Sequence, residues 1–258
     1  MIPLYLINNF EMKHIVIYTL LLFSVAQCSN ELVFEEESFQ KTTSLPCKED
    51  CPSIRVKIPV ANAVPIVADS INKKVFSVLK EIIYFGEKPY SATDYNGLLN
   101  SFIGSYEKLQ KEFPEDKFGW EAEIQGSVKY QSDAVLNIEI KHYTYTGGAH
   151  GYQGLRSLLF DPSTGKSISH DELFTDKVAF KAFAEKKFRA KYKIPANKSI
   201  NATGLMFEKE KFQLPQNIFY THKGLLLYYN SYEAASYADG PKELLLSYVE
   251  VNDYLQLR

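Results

Sequence analysis

A glycine-rich stretch near the middle of the chain constrains the fold more than any other part of the sequence. Residues 142–154 have the sequence His-Tyr-Thr-Tyr-Thr-Gly-Gly-Ala-His-Gly-Tyr-Gln-Gly. The stretch contains four glycines, which are Gly147, Gly148, Gly151 and Gly154. Because glycine adopts positive φ and lets another segment approach closely, we expect a strand that breaks into a glycine loop and leaves as a second strand. Three tyrosines flank this loop: Tyr143, Tyr145 and Tyr152.

The overall composition excludes one class of partner and allows two others. The chain has 258 residues, of which 45% are hydrophobic, so it can bury a substantial core. Its formal net charge is -2, and lysine and glutamate are interspersed, so it lacks the broad basic field that nucleic-acid binding requires. The 18 tyrosines and 17 phenylalanines suit a β-rich core, and they also suit contacts with carbohydrate or with a protein surface.

The N-terminus indicates export. From Met12, where translation can begin, a basic start is followed by the apolar run Ile15–Val25 and then by Cys28. This layout predicts an export signal over residues 1–27, and the cysteine resembles the lipid-attachment site of bacterial lipoproteins, although Gln27 replaces the small residue that usually precedes it. We therefore expect a protein of the bacterial cell envelope, anchored to a membrane by lipid on Cys28. An uncleaved membrane anchor is the alternative.

Residues 28–52 are polar and acidic, and we expect them to form a tether that carries the fold away from its anchor. The tether contains Cys47 and Cys51. In an exported chain, two cysteines so close together in a polar loop most simply form a disulfide. Metal binding is the other interpretation, but two thiolates without further histidine or cysteine ligands make an incomplete site.

The rest of the chain predicts an α+β fold of two small modules, in which antiparallel sheets pack against helices. Residues 53–130 form a module with two helices: an edge strand ends near Pro59, one helix starts at Pro65, and a second starts after Asp94. Residues 131–258 form the glycine-loop module, because a hairpin strand leads into the loop. This second module also has a helix near residues 176–192 with a basic, solvated face and several later strands.

A second motif is the natural partner of the glycine loop. Residues 227–241 carry Tyr229, Tyr232 and Tyr237 around Glu233 and end in an Asp-Gly-Pro turn. The two motifs, in this order, resemble the paired extracytoplasmic modules of unknown function found in PdaC, before its deacetylase domain, and in the external part of the anti-sigma factor RsiV. The resemblance spans residues 54–255.

This resemblance implies an α+β fold used in the cell envelope and, for RsiV-like proteins, recognition of lysozyme. The segments required for the sigma-binding and deacetylase roles are missing, so we expect a stand-alone binding protein whose partner is an envelope glycan or a lysozyme-like protein. Rigid tyrosine rings beside an open loop are typical of such contacts. The expected ligand-binding residues are Tyr145, Gly147, Gly148, His150, Tyr152, Tyr232, Glu233 and Tyr237.

The alternative function is hydrolysis of an envelope glycan, with His150 as general base and Glu233 or Asp239 as acid. The sequence offers no Gly-x-Ser-x-Gly nucleophile and no cysteine near a histidine, so we expect binding instead of catalysis. In that case, His150 is a packed histidine that hydrogen bonds to the second motif, with Glu233 as its partner. A metal site of His142 and His150 lacks a third ligand, so we expect neither a metal nor a cofactor.

Overall fold

The computed structural model describes residues 31–115 and 118–257. The expected export signal at residues 1–27 and the expected lipidation site Cys28 lie outside these ranges. Within them, no helix is long and apolar enough to cross a membrane. The described residues form helices and two mostly antiparallel sheets, which confirms the predicted α+β class.

The first sheet has five strands in the order in which they occur along the chain. They are β1 (Val33–Thr42), β2 (Ser53–Asn62), β3 (Glu121–Gln131), β4 (Leu136–Tyr145) and β5 (Tyr152–Phe160). Neighbouring strands are antiparallel except β2 and β3, which are parallel. The connection between these two contains the helices α1 (Pro65–Ile82) and α2 (Tyr95–Glu112). Both helices bury their apolar stripes against one face of the sheet, as their periodicity predicts.

The prediction of a tether over residues 28–52 is wrong for the segment that forms β1. This strand pairs with β2 along its whole length and takes the edge of the sheet. Its glutamates stay exposed, since an edge strand needs backbone pairing and only a few apolar anchors. One anchor is Phe39, whose ring stacks on Tyr95 with 4.7 Å between centroids. The proline in β2, Pro59, therefore lies inside the sheet, two residues beyond the last residue that pairs with β3, Lys57.

The loop between β1 and β2 contains a disulfide between Cys47 and Cys51. This disulfide loop packs directly on the start of β3. A Cβ atom placed on Gly119 would lie 1.9 Å from the carbonyl oxygen of Asp50, so only glycine fits there.

The second half of the chain builds a separate sheet. Its elements are α3 (Lys177–Lys191), β6 (Asn217–Thr221), β7 (Gly224–Tyr229), β8 (Lys242–Ser247) and the short α4 (Tyr248–Val251), with single 3-10 turns at Glu208–Glu210 and Asn252–Tyr254. The three strands form an antiparallel sheet in chain order. The basic face of α3 is largely neutralised by the protein itself, for example by Lys187 with Glu250 and by Arg189 with Glu185.

The structure differs from the expected division between residues 130 and 131. That boundary falls inside the β3–β4 hairpin, and the five-stranded sheet continues to Phe160. The glycine loop, residues 146–151, consequently belongs to the first sheet and joins its last two strands. The molecule has two hydrophobic cores among the described residues, one under the sheet β1–β5 and one under the sheet β6–β8. The boundary between the two parts of the fold therefore follows β5.

Candidate functional site

The two halves of the molecule meet along β5, the edge strand of the first sheet. Asn230, at the end of β7, binds this edge as a further strand would. Its Oδ1 accepts the backbone N–H of Leu155 at 2.8 Å, and its Nδ2 donates to the carbonyl of the same residue at 3.0 Å. Because the amide satisfies both backbone groups of an edge residue, it fixes β7 against the first sheet.

Two further buried asparagines extend this seam. Asn217 Oδ1 accepts the backbone N–H of Ser157 at 3.0 Å, and Asn137 Oδ1 accepts that of Tyr220 at 2.9 Å. The hydroxyl of Ser157 donates to the carbonyl of Ile218 at 2.6 Å. Each bond crosses between the two sheets, so the halves are joined by specific polar contacts and have a defined relative position.

The glycine loop lies at one end of this seam. Gly147 and Gly148 have φ values of 102° and 94°, and a Cβ on either would meet nothing within 4 Å, so this part of the loop is open. Gly151 is different, because a Cβ there would lie 2.5 Å from the ring of Tyr143. The hydroxyl of Tyr145 donates to the carbonyl of Gly148 at 3.1 Å and holds the open part of the loop in place.

Three rings stack across the seam, and we call them the ring stack. The exposed His150 lies flat on Tyr237, with 3.8 Å between centroids and 15° between planes. Tyr237 in turn stacks on Tyr232 at 5.8 Å and 29°. The hydroxyl of Tyr237 donates to the carbonyl of Gly151 at 3.2 Å, which locks the central ring to the glycine loop. The outer ring, Tyr232, is 54% exposed and has a φ of 71°.

Glu233 does not complete a catalytic pair. Its carboxylate accepts the backbone N–H groups of Gln216 at 2.6 Å and Asn230 at 3.0 Å, and burial raises its pKa above the ordinary value. Within the described residues, no hydrogen bond joins Glu233 to His150, whose Nδ1 lies 2.9 Å from the carbonyl oxygen of Gly151. The expected hydrogen bond between the two side chains is therefore wrong, because the carboxylate is used to shape its own loop.

His142 is buried beside the seam. It is 4% exposed, and neither ring nitrogen has a hydrogen-bond partner among the described residues. Burial, together with the nearby charge of Arg156, lowers its pKa to about 4, so the ring is neutral at neutral pH. In the part of the chain that the structure describes, no three metal-binding side chains come together.

The expected ligand-binding residues fall into three separate places. His150, Tyr232 and Tyr237 form the ring stack. Tyr145 lies on the other side of the glycine loop, and Tyr152 faces His142 with 5.8 Å between ring centroids. Of these groups, the ring stack is the one that both motifs build together.

Comparisons with known proteins divide the chain at the same seam. A family model described as Deacetylase PdaC matches residues 46–153, and a model described as Protein of unknown function (DUF3298) matches residues 171–249. The chain carries these two modules in tandem. Modules like the first are typically extracellular. His150 belongs to the PdaC module, and Tyr232 and Tyr237 belong to the DUF3298 module, so the ring stack is built by both.

Solved structures share this fold. A DUF3298 family protein from Pseudomonas aeruginosa PAO1 has a TM-score of 0.61 and 21% identity, covering 89% of this chain and 96% of its own. A member of the same family from Bacteroides fragilis has a TM-score of 0.64 and 20% identity, covering 87% of this chain and 93% of its own. At this identity the likeness shows the fold alone. No curated protein matches the chain significantly.

Sequence reasoning missed the residues that join the PdaC and DUF3298 modules. Asn230 lies within the second motif, yet its partner Leu155 is 75 residues away. A polar residue at the end of an apolar strand gives no signal of such a bond. The buried position of His142 had one signal, since it continues the alternation of Ile138 and Ile140 on the apolar face of β4.

Proposed function

We propose that this chain is an exported, lipid-anchored protein of the cell envelope that binds an envelope glycan through the ring stack. The observation that supports this proposal is the prealigned row of His150, Tyr237 and Tyr232 at the seam between the two modules, in which the two outer rings are exposed and Tyr237 between them is half-buried. Prealigned rings lose little conformational freedom on binding, which favours affinity.

Binding needs fewer positioned groups than catalysis, and the rings of the ring stack at the seam are such groups. The central ring is fixed by its hydrogen bond to Gly151, and the outer ring, Tyr232, is 54% exposed. A hydrolase would need a free acid beside a base, whereas the Glu233 carboxylate already accepts two backbone N–H groups. The favoured activity is therefore recognition without turnover.

A glycan suits this row of rings better than a charged ligand does. The apolar C–H face of a sugar ring packs on the electron-rich face of an aromatic ring. The hydroxyls at the edge of the sugar stay free for polar contacts. The second possible ligand is a lysozyme-like protein, which the resemblance to RsiV implies. Exposed tyrosines also anchor protein interfaces, so the experiment includes both ligands.

The test is calorimetric titration of the full chain, purified in detergent, with defined muropeptides and separately with lysozyme. The variant is Tyr232→Asn, because asparagine tolerates the positive φ at this position and removes only the ring. The matched control is Tyr84→Asn, another exposed tyrosine that lies outside the ring stack. We expect muropeptide affinity to fall about tenfold or more in the first variant and to stay unchanged in the second.

Three results would contradict the proposal. Muropeptides that release no heat with the wild type would exclude them as ligands, and binding of lysozyme alone would replace the glycan by a protein partner. Release of shorter muropeptides during the titration would show turnover and would support the hydrolase instead. Lipid attachment is tested separately by the mass of the mature chain, with Cys28→Ser as the control.

A further inference from the structure

We propose that a second sugar-binding site, which takes an uncharged sugar, lies in the groove between the disulfide loop and the glycine loop. This inference rests on the proposed function, because it assumes that the ligand is a glycan. The groove lies where β4 enters the glycine loop, at Tyr145, whereas the ring stack lies where the loop leaves for β5, at His150. The residues that line the groove all come from the PdaC module.

Two adjoining cavities form the groove. One has a volume of about 370 Å³ and is bounded by Asp50, Glu121 and Tyr145. The other has a volume of about 240 Å³ and is bounded by Tyr106 on α2 and by the open glycines of the loop, Gly147 and Gly148. Phe118 and Trp120 line both cavities, so the two lie side by side. The first alone is within the range of about 300–1,000 Å³ that small-molecule sites occupy.

The groove has a rigid aromatic floor and an exposed aromatic wall. Trp120 is 2% exposed, and its ring is held by Phe85 at 4.5 Å, Phe102 at 5.5 Å and Tyr106 at 5.9 Å. Phe118 is 54% exposed beside it. Because Trp120 is covered, Phe118 is the ring that offers a sugar a face on which to stack, beside a fixed floor.

The disulfide holds the opposite wall. The Cys47–Cys51 bond closes a short loop whose backbone at Asp50 rests on Gly119, immediately before Trp120. The same loop is joined to the end of β1 by the bond from Thr43 N–H to the carbonyl of Pro52 at 3.0 Å. Opening the disulfide would release this wall and widen the groove, so binding should depend on the oxidised state.

The charges around the groove select against anions. Among the described residues, no lysine or arginine lines either cavity, whereas Asp50 and Glu121 do. Glu121 is paired with Arg55 at 3.6 Å, whereas Asp50 has no ion-pair partner among the described residues. Its oxygens can accept sugar hydroxyl or amide donors, while a carboxylate or phosphate on the ligand would be repelled. The favoured ligand is therefore a neutral oligosaccharide.

The test is titration of the full chain in detergent with chitotetraose, a neutral oligosaccharide, and with a uronate tetrasaccharide. The variant is Phe118→Ser, and the control is Phe113→Ser, since that phenylalanine is equally exposed, at 53%, and lies outside the groove. We expect chitotetraose affinity to fall about tenfold in the first variant only. Thermal melting of each variant checks that the fold is retained.

Comparison with Tyr232→Asn separates the two proposals. If both variants weaken binding, the groove and the ring stack are both sugar sites, as proposed. If Phe118→Ser weakens binding and Tyr232→Asn does not, the groove is the sugar site and the ring stack is not. If only Tyr232→Asn weakens binding, the groove proposal is overturned and the proposed function stands. If neither variant weakens binding, both proposals fail for this sugar.

Two further measurements test the wall and the charge. The double variant Cys47→Ser/Cys51→Ser, with its melting transition retained, should bind chitotetraose several-fold more weakly, and unchanged affinity would overturn the role of the disulfide. The uronate tetrasaccharide should bind at least tenfold more weakly than chitotetraose. Equal affinity for the two would overturn the selection of an uncharged sugar.

Discussion

Two buried polar side chains at the seam, Asn230 and His142, differ in whether their polar atoms are hydrogen bonded. Both approach Gly154 so closely that a Cβ on this residue would lie 3.0 Å from Asn230 Oδ1 and 2.8 Å from His142 Nε2. Asn230 satisfies the backbone of Leu155 with both ends of its amide, whereas neither nitrogen of His142 has a partner among the described residues. One residue joins the modules, and the other is buried at a net loss of solvation.

Removing the satisfied partner should have the largest effect. In Asn230→Ala, the N–H and C=O of Leu155 lose their partners at a partly buried edge, and each such group costs about 1–3 kcal/mol. We expect the free energy of unfolding to fall by about 4 kcal/mol, as measured by urea denaturation. Asn230→Asp keeps the acceptor but places a buried carboxylate against the carbonyl oxygen of Leu155, so it should lose at least as much. A loss below about 1 kcal/mol in the alanine variant would show that the seam does not depend on this amide.

Acidification should have the next largest effect, because it acts on His142. The ring binds a proton with a pKa of about 4 in the folded chain and about 6.5 in the unfolded chain. Between these values the unfolded chain takes up a proton that the folded chain does not, so stability is complete above pH 6.5 and falls as the pH drops towards 4. The difference is about 3 kcal/mol.

The measurement is the free energy of unfolding of wild type and of His142→Leu between pH 7 and pH 4. The raised pKa of Glu233 acts in the opposite sense, but it is present in both proteins and cancels in the difference. Parallel pH curves for the two proteins would show that the histidine titrates normally and is not sealed in the seam.

The sequence predicts the parts of the fold that depend on local patterns. The helices α1 and α2 follow from their apolar periodicity, and Asp94 caps the second by accepting the N–H of Gly97 at 2.8 Å. The pairing of the two motifs was also predictable, because each is rich in rings. The partner of His150 was not predictable. It is Tyr237 and not Glu233, and which of the two side chains reaches the histidine depends on the backbone conformation of the second motif.

The remainder depends on contacts distant in the chain. The strand β1 escaped prediction because its glutamates face solvent and it is held to β2 along its whole length by backbone pairing, which leaves no apolar pattern in the sequence. The groove was hidden for a similar reason. Its walls come from Asp50, Phe118 and Gly148, which three separate segments supply and which no single window of sequence contains.

Gly154→Ala tests how tightly the two side chains close over β5. The new methyl group would clash with both Asn230 Oδ1 and His142 Nε2, and overpacking of this kind costs about 1–3 kcal/mol. Gly104→Ala is the control, because a Cβ there meets nothing within 4 Å and alanine favours the helix. If the clash with the histidine dominates, His142→Ala should restore part of the lost stability of Gly154→Ala. Additive losses in the double variant would place the strain at Asn230 instead.

The smallest effect, and the sharpest, is expected for His142→Leu at pH 7. Leucine keeps the buried position filled and removes two polar atoms that have no partner among the described residues, so the free energy of unfolding should rise by about 1 kcal/mol. A buried histidine with satisfied nitrogens would give a loss, and that result would mean that the ring in solution bonds to a neighbour such as Asn230. A gain would mean that the seam holds this histidine at the expense of stability.

Because Tyr152 faces His142 and Tyr237 binds Gly151, three residues before Gly154, the variant should also be tested for muropeptide binding. Weaker binding together with higher stability would identify the histidine as part of the ligand site, whereas unchanged binding would restrict it to packing.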